Sequence, residues 1–191
     1  MKKNMKPVPM AFPTPVYIVG TYGEEGEPTA MNVAWGGICS SEPPCLMIAI
    51  RDERYTYENI RRQGVFTVNI PSATYVKEAD YFGIVSGKKE RKFDNVNLTP
   101  VRGKIVNAPV IEEFPVAMEC RLFKEVKMGS HTRVMGEIVN IQADDSCLDE
   151  KGNIVMEKVD PIAYDPAGVK YNRMGEMCGK AFSIGVELMK K

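Results

Sequence analysis

The segment Arg51-Asp52-Glu53-Arg54-Tyr55-Thr56-Tyr57-Glu58-Asn59-Ile60 carries the densest chemical signal in the chain. An apolar strand ends at Ile50 and a helical pattern starts at Thr56, with Gly64 at the position past its end that favours a left-handed residue. The first turn of a helix presents unpaired N–H groups and partial positive charge, an environment suited to a phosphate. A Thr56 hydroxyl at the cap, with the guanidinium groups of Arg51 and Arg54, would complete such a site. The same residues also read as a surface turn in which the two Arg pair with Asp52, Glu53 or Glu58.

A second cluster is Asn32-Val33-Ala34-Trp35-Gly36-Gly37-Ile38-Cys39-Ser40-Ser41-Glu42-Pro43-Pro44. Glycine admits a planar ligand close to the backbone, and Asn and Ser can hydrogen-bond its polar edge. The alternative is a core Trp35 beside a bend or bulge at Gly36-Gly37. The third candidate is His131, the only His in the chain, at the start of a strand. It could serve as an acid/base or as a donor to a ligand, or be a plain surface residue. The run Lys88-Lys89-Glu90-Arg91-Lys92-Phe93 reads as a solvated loop or as a lid over an anion.

Several chemistries are excluded. There is no Walker loop, no G-x-G-x-x-G and no nucleophile elbow near Ser40 or Ser41. Five Cys without a C-x-x-C pair, beside a single His, argue against zinc and for reduced thiols in a cytoplasmic protein. With 25 Lys+Arg against 25 Asp+Glu, the chain lacks the excess positive charge of a nucleic-acid binder. The longest apolar run, Cys45 to Ile50, is far too short to span a bilayer, and the basic start Met1 to Pro7 lacks a signal-peptide core.

The elements that must position these residues are mostly strands. Val16 to Thr21 and Thr29 to Trp35 flank a Gly23 to Glu27 turn and form a hairpin, which Gly36-Gly37 breaks. Cys45 to Ile50 is continuously apolar and is expected to be covered on both faces. Val65 to Ile70 stops at Pro71. Val116, Met118, Cys120 and Leu122 alternate with Ala117, Glu119 and Arg121, and Thr132 to Gln142 is a further strand. Helices are expected from Thr56 to before Gly64 and from Ser72 to Val85, the latter with Tyr75, Ala79 and Phe82 as its apolar stripe. The whole is mainly β, an antiparallel barrel or sandwich, and its 191 residues show no domain boundary.

Taken in order, these segments resemble the flavin reductase-like family with the FMN-binding split-barrel fold, and especially its flavoredoxin branch. The matching pieces are Pro15 to Val19, Asn32 to Trp35, Ser40 to Pro44, Arg54 to Ile60, Gly64 to Asn69, Ser86-Gly87 with Lys92-Phe93, Glu119-Cys120, Gly129 to Thr132, Gly136-Glu137 and Tyr171 to Glu176. The resemblance implies a Greek-key-like barrel with short flanking helices, FMN as cofactor and NADH or NADPH as co-substrate. It implies that Asn32, Ala34 and Trp35 line the isoalloxazine and ribityl region and that Ser40 and Ser41 bind polar groups of the flavin. Arg51, Tyr55 and Thr56 would lie near the phosphate, and Lys92 would approach the flavin from the excursion after the second helix. His131 would be the catalytic candidate, on the open face where a nicotinamide or another redox partner docks. It also implies a homodimer with FMN near the subunit interface, and leaves open whether Cys39 touches the ring.

Overall fold

Alternation of apolar side chains builds the inner wall of the molecule. Phe66 and Val68, Leu46, Ile48 and Ile50, Cys120 and Val134 are all buried in one cluster with Val19, Val33 and Ile60. In the computed structural model, which describes residues 1–189, all of these but Ile60, which a helix contributes, lie on strands of a seven-stranded antiparallel sheet. They are β2 (Tyr17–Tyr22), β3 (Pro28–Val33), β4 (Gly36–Ser41), β5 (Pro44–Ile50), β6 (Val65–Ile70), β9 (Val116–Met128) and β10 (His131–Ala143). Short strands fill the numbering: β1 (Thr14–Pro15), β7 (Pro100–Arg102), β8 (Pro109–Ile111), β11 (Ile162–Asp165) and β12 (Lys170–Arg173).

The strand order of the main sheet is β3-β2-β6-β9-β10-β5-β4. Its two outermost strands, β3 and β4, are consecutive in the chain and joined only by Ala34-Trp35. The Ala49 N–H donates to Trp35 O at 2.8 Å, so the sheet curls back on itself at this seam. The bend therefore lies at Ala34-Trp35, and Gly36-Gly37 opens the next strand instead of breaking the previous one. Gly36 is needed for proximity: a Cβ there would meet the Tyr17 ring at 2.9 Å and Met47 O at 3.0 Å. Sheets β1-β11-β12 and β7-β8 complete the β structure.

Among the described residues three α-helices flank the sheets: α1 (Tyr55–Gln63), α2 (Val76–Ile84) and α3 (Met156–Val159). The start of α1 corrects the expected cap. Arg54, not Thr56, occupies the N-cap position, with extended backbone and no capping side chain. Thr56 falls inside the first turn and is buried. The other end follows expectation, since Gly64 adopts φ 69° and its N–H reaches Ile60 O at 2.7 Å. The segment expected as one helix from Ser72 divides into a 3-10 turn, Ala73–Tyr75, and then α2. Ala79 and Phe82 are buried as the stripe requires, within a second core that includes Val16, Ile18, Ala30 and Ile111.

Glu119 departs from the alternation read in β9. Placed among the outward residues, it is fully buried. Its carboxylate accepts from the backbone N–H groups of Lys104, Ile105 and Val106 at 2.7–3.1 Å, and from the amides of Asn140 and Gln142 at 2.7 and 3.0 Å. A loop crosses the outer face of β9 and uses the carboxylate as its anchor, so that face is covered.

Candidate functional site

The outer face of β5 and β10 is built by period-two alternation. Leu46, Ile48 and Ile50 face the core, which turns Met47, Ala49 and Arg51 outward. Arg133 pairs with Ala49 and Met135 with Met47 across the ladder, and His131 lies two residues before Arg133 on the same face. The second face of the apolar strand Cys45 to Ile50 is thus half-buried floor of a cleft, not a second core. The cleft measures about 930 Å³ and is lined by residues of β3, the Ala34-Trp35 bend, β5, the β9–β10 hairpin and Gly83 of α2. That size falls within the range of about 300–1,000 Å³ for small-molecule sites.

The cleft is apolar at its floor and cationic around it. Met31, Val33, Ala34, Trp35, Met47 and Ala49 supply apolar surface, while Arg51, Arg54, His131 and Arg133 supply every ionisable group in the lining. No Asp or Glu is among the lining residues. Arg51 is 4.0 Å from Glu53, but both side chains are more than half exposed, so the pair is weak. Arg133 reaches only the Met128 sulfur, and His131 Nδ1 lies 2.8 Å from Ser130 Oγ. Guanidinium groups with no more than one weak, exposed carboxylate contact beside an apolar floor suit a ligand with a flat body and an anionic group.

Of the residues singled out in the sequence, Asn32, Ala34, Trp35, Arg51, Arg54 and His131 come together in this cleft. Others lie elsewhere among the described residues. Tyr55 donates its hydroxyl to Glu27 Oε1 at 2.7 Å and accepts from the Glu24 N–H at 3.2 Å, which ties α1 to the turn between β2 and β3. Thr56, in the first turn of α1, is buried. Ser40 and Ser41 sit at the end of β4, opposite Cys45 and Pro44. Cys39 is exposed, with its thiol 3.5 Å from Cys45 O, outside the cleft lining; all five cysteines are free.

Lys92 is neither a lid nor a solvated residue. It is 2% exposed, and its ammonium donates to Ala30 O at 2.7 Å and Phe82 O at 2.9 Å. Burial, with a smaller contribution from the Arg54 charge, pushes its pKa down to about 8. Its two partners adjoin the cleft, since Ala30 lies two residues before Asn32 and Phe82 precedes Gly83. Lys92 therefore holds α2 against β3 behind the lining.

Arg133, Met47, Ala49 and Gly83 are also part of the lining, and none of them stood out as chemistry in the sequence. Arg133 was available from the spacing, because it shares a strand face with His131. Gly83 needed the packing of α2 on β3: a Cβ there would meet Asn32 Cβ at 3.4 Å. No group of three or more His, Cys, Asp or Glu able to hold a metal occurs among the described residues. Likewise, no helix among them is long and apolar enough to cross a membrane.

A curled antiparallel sheet whose two outermost strands meet at the Ala34-Trp35 seam places the protein in the split-barrel fold class. Residues 10–170 match the model of the flavin reductase like domain, and the chain belongs to that family. Flavoredoxin of Desulfovibrio vulgaris (Miyazaki F) superposes with a TM-score of 0.93 at 44% identity, covering 97% of this chain and all of that one. An uncharacterised protein of Archaeoglobus fulgidus is 35% identical over 143 residues, 75% of this chain and 80% of its own length. The flavin reductase (NADH) of Kitasatospora aureofaciens is 28% identical over 130 residues, 68% of this chain and 65% of its own. The antiparallel split barrel expected from the sequence is the fold of this protein.

Proposed function

We propose that the protein binds FMN in the cleft and passes reducing equivalents from NADH or NADPH, through the flavin, to an acceptor. The observation that carries this reading is the joining of an apolar floor to three arginines and a histidine, with no carboxylate in the lining. Bound there, FMN would supply the hydride and electron chemistry. The chain's own residues bind, orient and shield. Ala34, Trp35, Met47 and Ala49 offer flat apolar surface to the isoalloxazine, and Arg51 with Arg54 offers charge to the phosphate. His131 stands at the hairpin rim, where a second reactant would meet the flavin and where a positioned donor is of use.

The reading extends to a homodimer that closes the open side of the cleft. It is supported by apolar side chains left exposed, Ile38, Phe123 and Ile141 on strands of the main sheet and Phe182 in the C-terminal segment. A second reading, that the protein carries electrons between a donor protein and an acceptor protein, draws on its 44% identity to a flavoredoxin. One experiment separates them. The purified protein is loaded with FMN and mixed with NADH or NADPH without oxygen. Bleaching of the flavin on mixing supports the reductase; a bound flavin untouched by either nicotinamide supports the carrier; failure to bind FMN overturns both.

A further inference from the structure

The tail segment Tyr171 to Glu176 is part of the sequence pattern, yet nothing in the proposed chemistry uses it. In the structure Tyr171 lies in β12 and reaches a residue of the cleft 139 positions earlier. Asn32 Nδ2 donates to Ala79 O at 2.9 Å and to the Tyr171 hydroxyl at 3.3 Å. That hydroxyl donates its own proton to Asp80 Oδ1 at 2.9 Å.

The direction of each bond follows from the groups. A backbone carbonyl only accepts, and an ionised carboxylate only accepts. Tyr171 has one proton and gives it to Asp80, so towards Asn32 it can only accept. Burial, reinforced by Asp80, raises the Tyr171 pKa and keeps the phenol protonated. An Asn32 amide turned the other way would set its oxygen against two acceptors, Ala79 O and the Tyr171 oxygen. Both contacts therefore fix the nitrogen towards the protein. Oδ1 remains the amide atom with no protein hydrogen bond among the described residues, on a side chain that lines the cleft.

We infer that Tyr171 and Asp80 are a positioning pair that sets Asn32 as a hydrogen-bond acceptor in the cleft, so that the bound ligand must bring an N–H or O–H donor to it. This rests on the flavin reading above. A flavin offers that donor from two places, the imide N–H of the ring and the hydroxyls of the ribityl chain.

The test titrates three ligands against the fluorescence of Trp35, the single tryptophan, which lies in the cleft lining. They are FMN, FMN methylated at the ring imide, and a phosphopentyl flavin without ribityl hydroxyls. In the wild type, the analogue that removes the donor should bind about ten-fold more weakly than FMN, the scale of one buried hydrogen bond left unmade. The analogue that carries the penalty identifies the source. In Tyr171→Phe the penalty should fall to about three-fold, because only Ala79 O then opposes a turned amide. In Asp80→Asn, an exposed change that lets the hydroxyl proton swing back, it should fall part of the way.

A variant that weakens all three ligands equally, with its wild-type ratios intact, overturns the inference and leaves Tyr171 a mere tether for β12. Absence of any penalty in the wild type overturns it too. A wild-type protein that binds none of the three overturns the flavin reading itself, and this inference with it.

Discussion

Two regions on the outside of the barrel treat charge in opposite ways. On the face of β9, one carboxylate, Glu119, is buried and collects five N–H donors. On the face of β5 and β10, three guanidinium groups and an imidazole line a cleft with no carboxylate among them. The first charge is satisfied within the chain and fastens a loop. The second set has only the weak, exposed pair of Arg51 with Glu53, and its natural complement is an anion from outside. Charge density alone does not separate structure from site; what separates them is whether the chain supplies the partners.

The sharpest way to break this contrast is to remove the satisfied charge. Glu119→Gln turns an amide nitrogen towards donors that need an acceptor, and should lower stability in urea unfolding by about 3 kcal/mol. A loss well under 1 kcal/mol would show that the loop does not depend on the carboxylate. Burial alone would raise the Glu119 pKa; the hydrogen bonds from Asn140, Val106, Ile105 and Lys104 outweigh it and hold the carboxyl below the usual carboxylate range. Its folded value is depressed, so its stabilising contribution is present above the usual range and lost as pH falls through the folded value. The Gln variant should lose that part of the acid dependence.

The converse change acts on the cleft. Arg51→Ala with Arg54→Ala should weaken FMN by more than about ten-fold, with a shallower salt dependence than the wild type, while urea stability changes by less than about 0.5 kcal/mol. Equal FMN affinity in a fluorescence titration would remove both arginines from the phosphate site. Smaller in binding is His131→Gln, which should leave FMN affinity within about two-fold but slow flavin bleaching by NADH about ten-fold or more. An unchanged bleaching rate would take His131 out of the catalytic role.

The contrast also explains what the sequence disclosed. The barrel was legible because period-two alternation and Gly–Pro punctuation are local, as in Val65 to Pro71 and in Gly64 after α1. Part of the cleft was legible for the same reason, since Asn32, Trp35, Arg51, Arg54 and His131 stand out by type in short segments, while Ala34 came only from the resemblance. Arg133 and Gly83 did not, because their place depends on which strand pairs with β5 and which helix crosses β3. Glu119 and Lys92 misled for a related reason. Each is charged within a pattern that reads as surface, and each is buried by a segment distant in sequence, the loop 104–106 for one and the backbone of Ala30 for the other. Thr56 shows the limit of cap signals. The helix starts at Tyr55, whose hydroxyl is held by Glu27, and this tertiary contact accompanies a start one residue earlier than the Thr signal.

Lys92 provides the subtlest test, because it is a buried cation behind the lining of a cationic cleft. Its pKa of about 8 lies below the ordinary lysine value of 10.5. Between those two values the unfolded chain holds the proton more firmly than the folded one, so unfolding takes up protons and this residue makes stability rise with pH. Arg54 acts in the same direction as burial, and Glu90 opposes it. Lys92→Met has no such group, so the stability of the wild type relative to the variant should grow as pH is raised from 8 towards 10. A constant difference across that window would show that the Lys92 ammonium is not destabilised by its surroundings. Arg54→Ala removes one of the two causes and should reduce the slope without abolishing it. That result would link the internal lysine to the cleft arginine through charge alone, with no hydrogen bond between them.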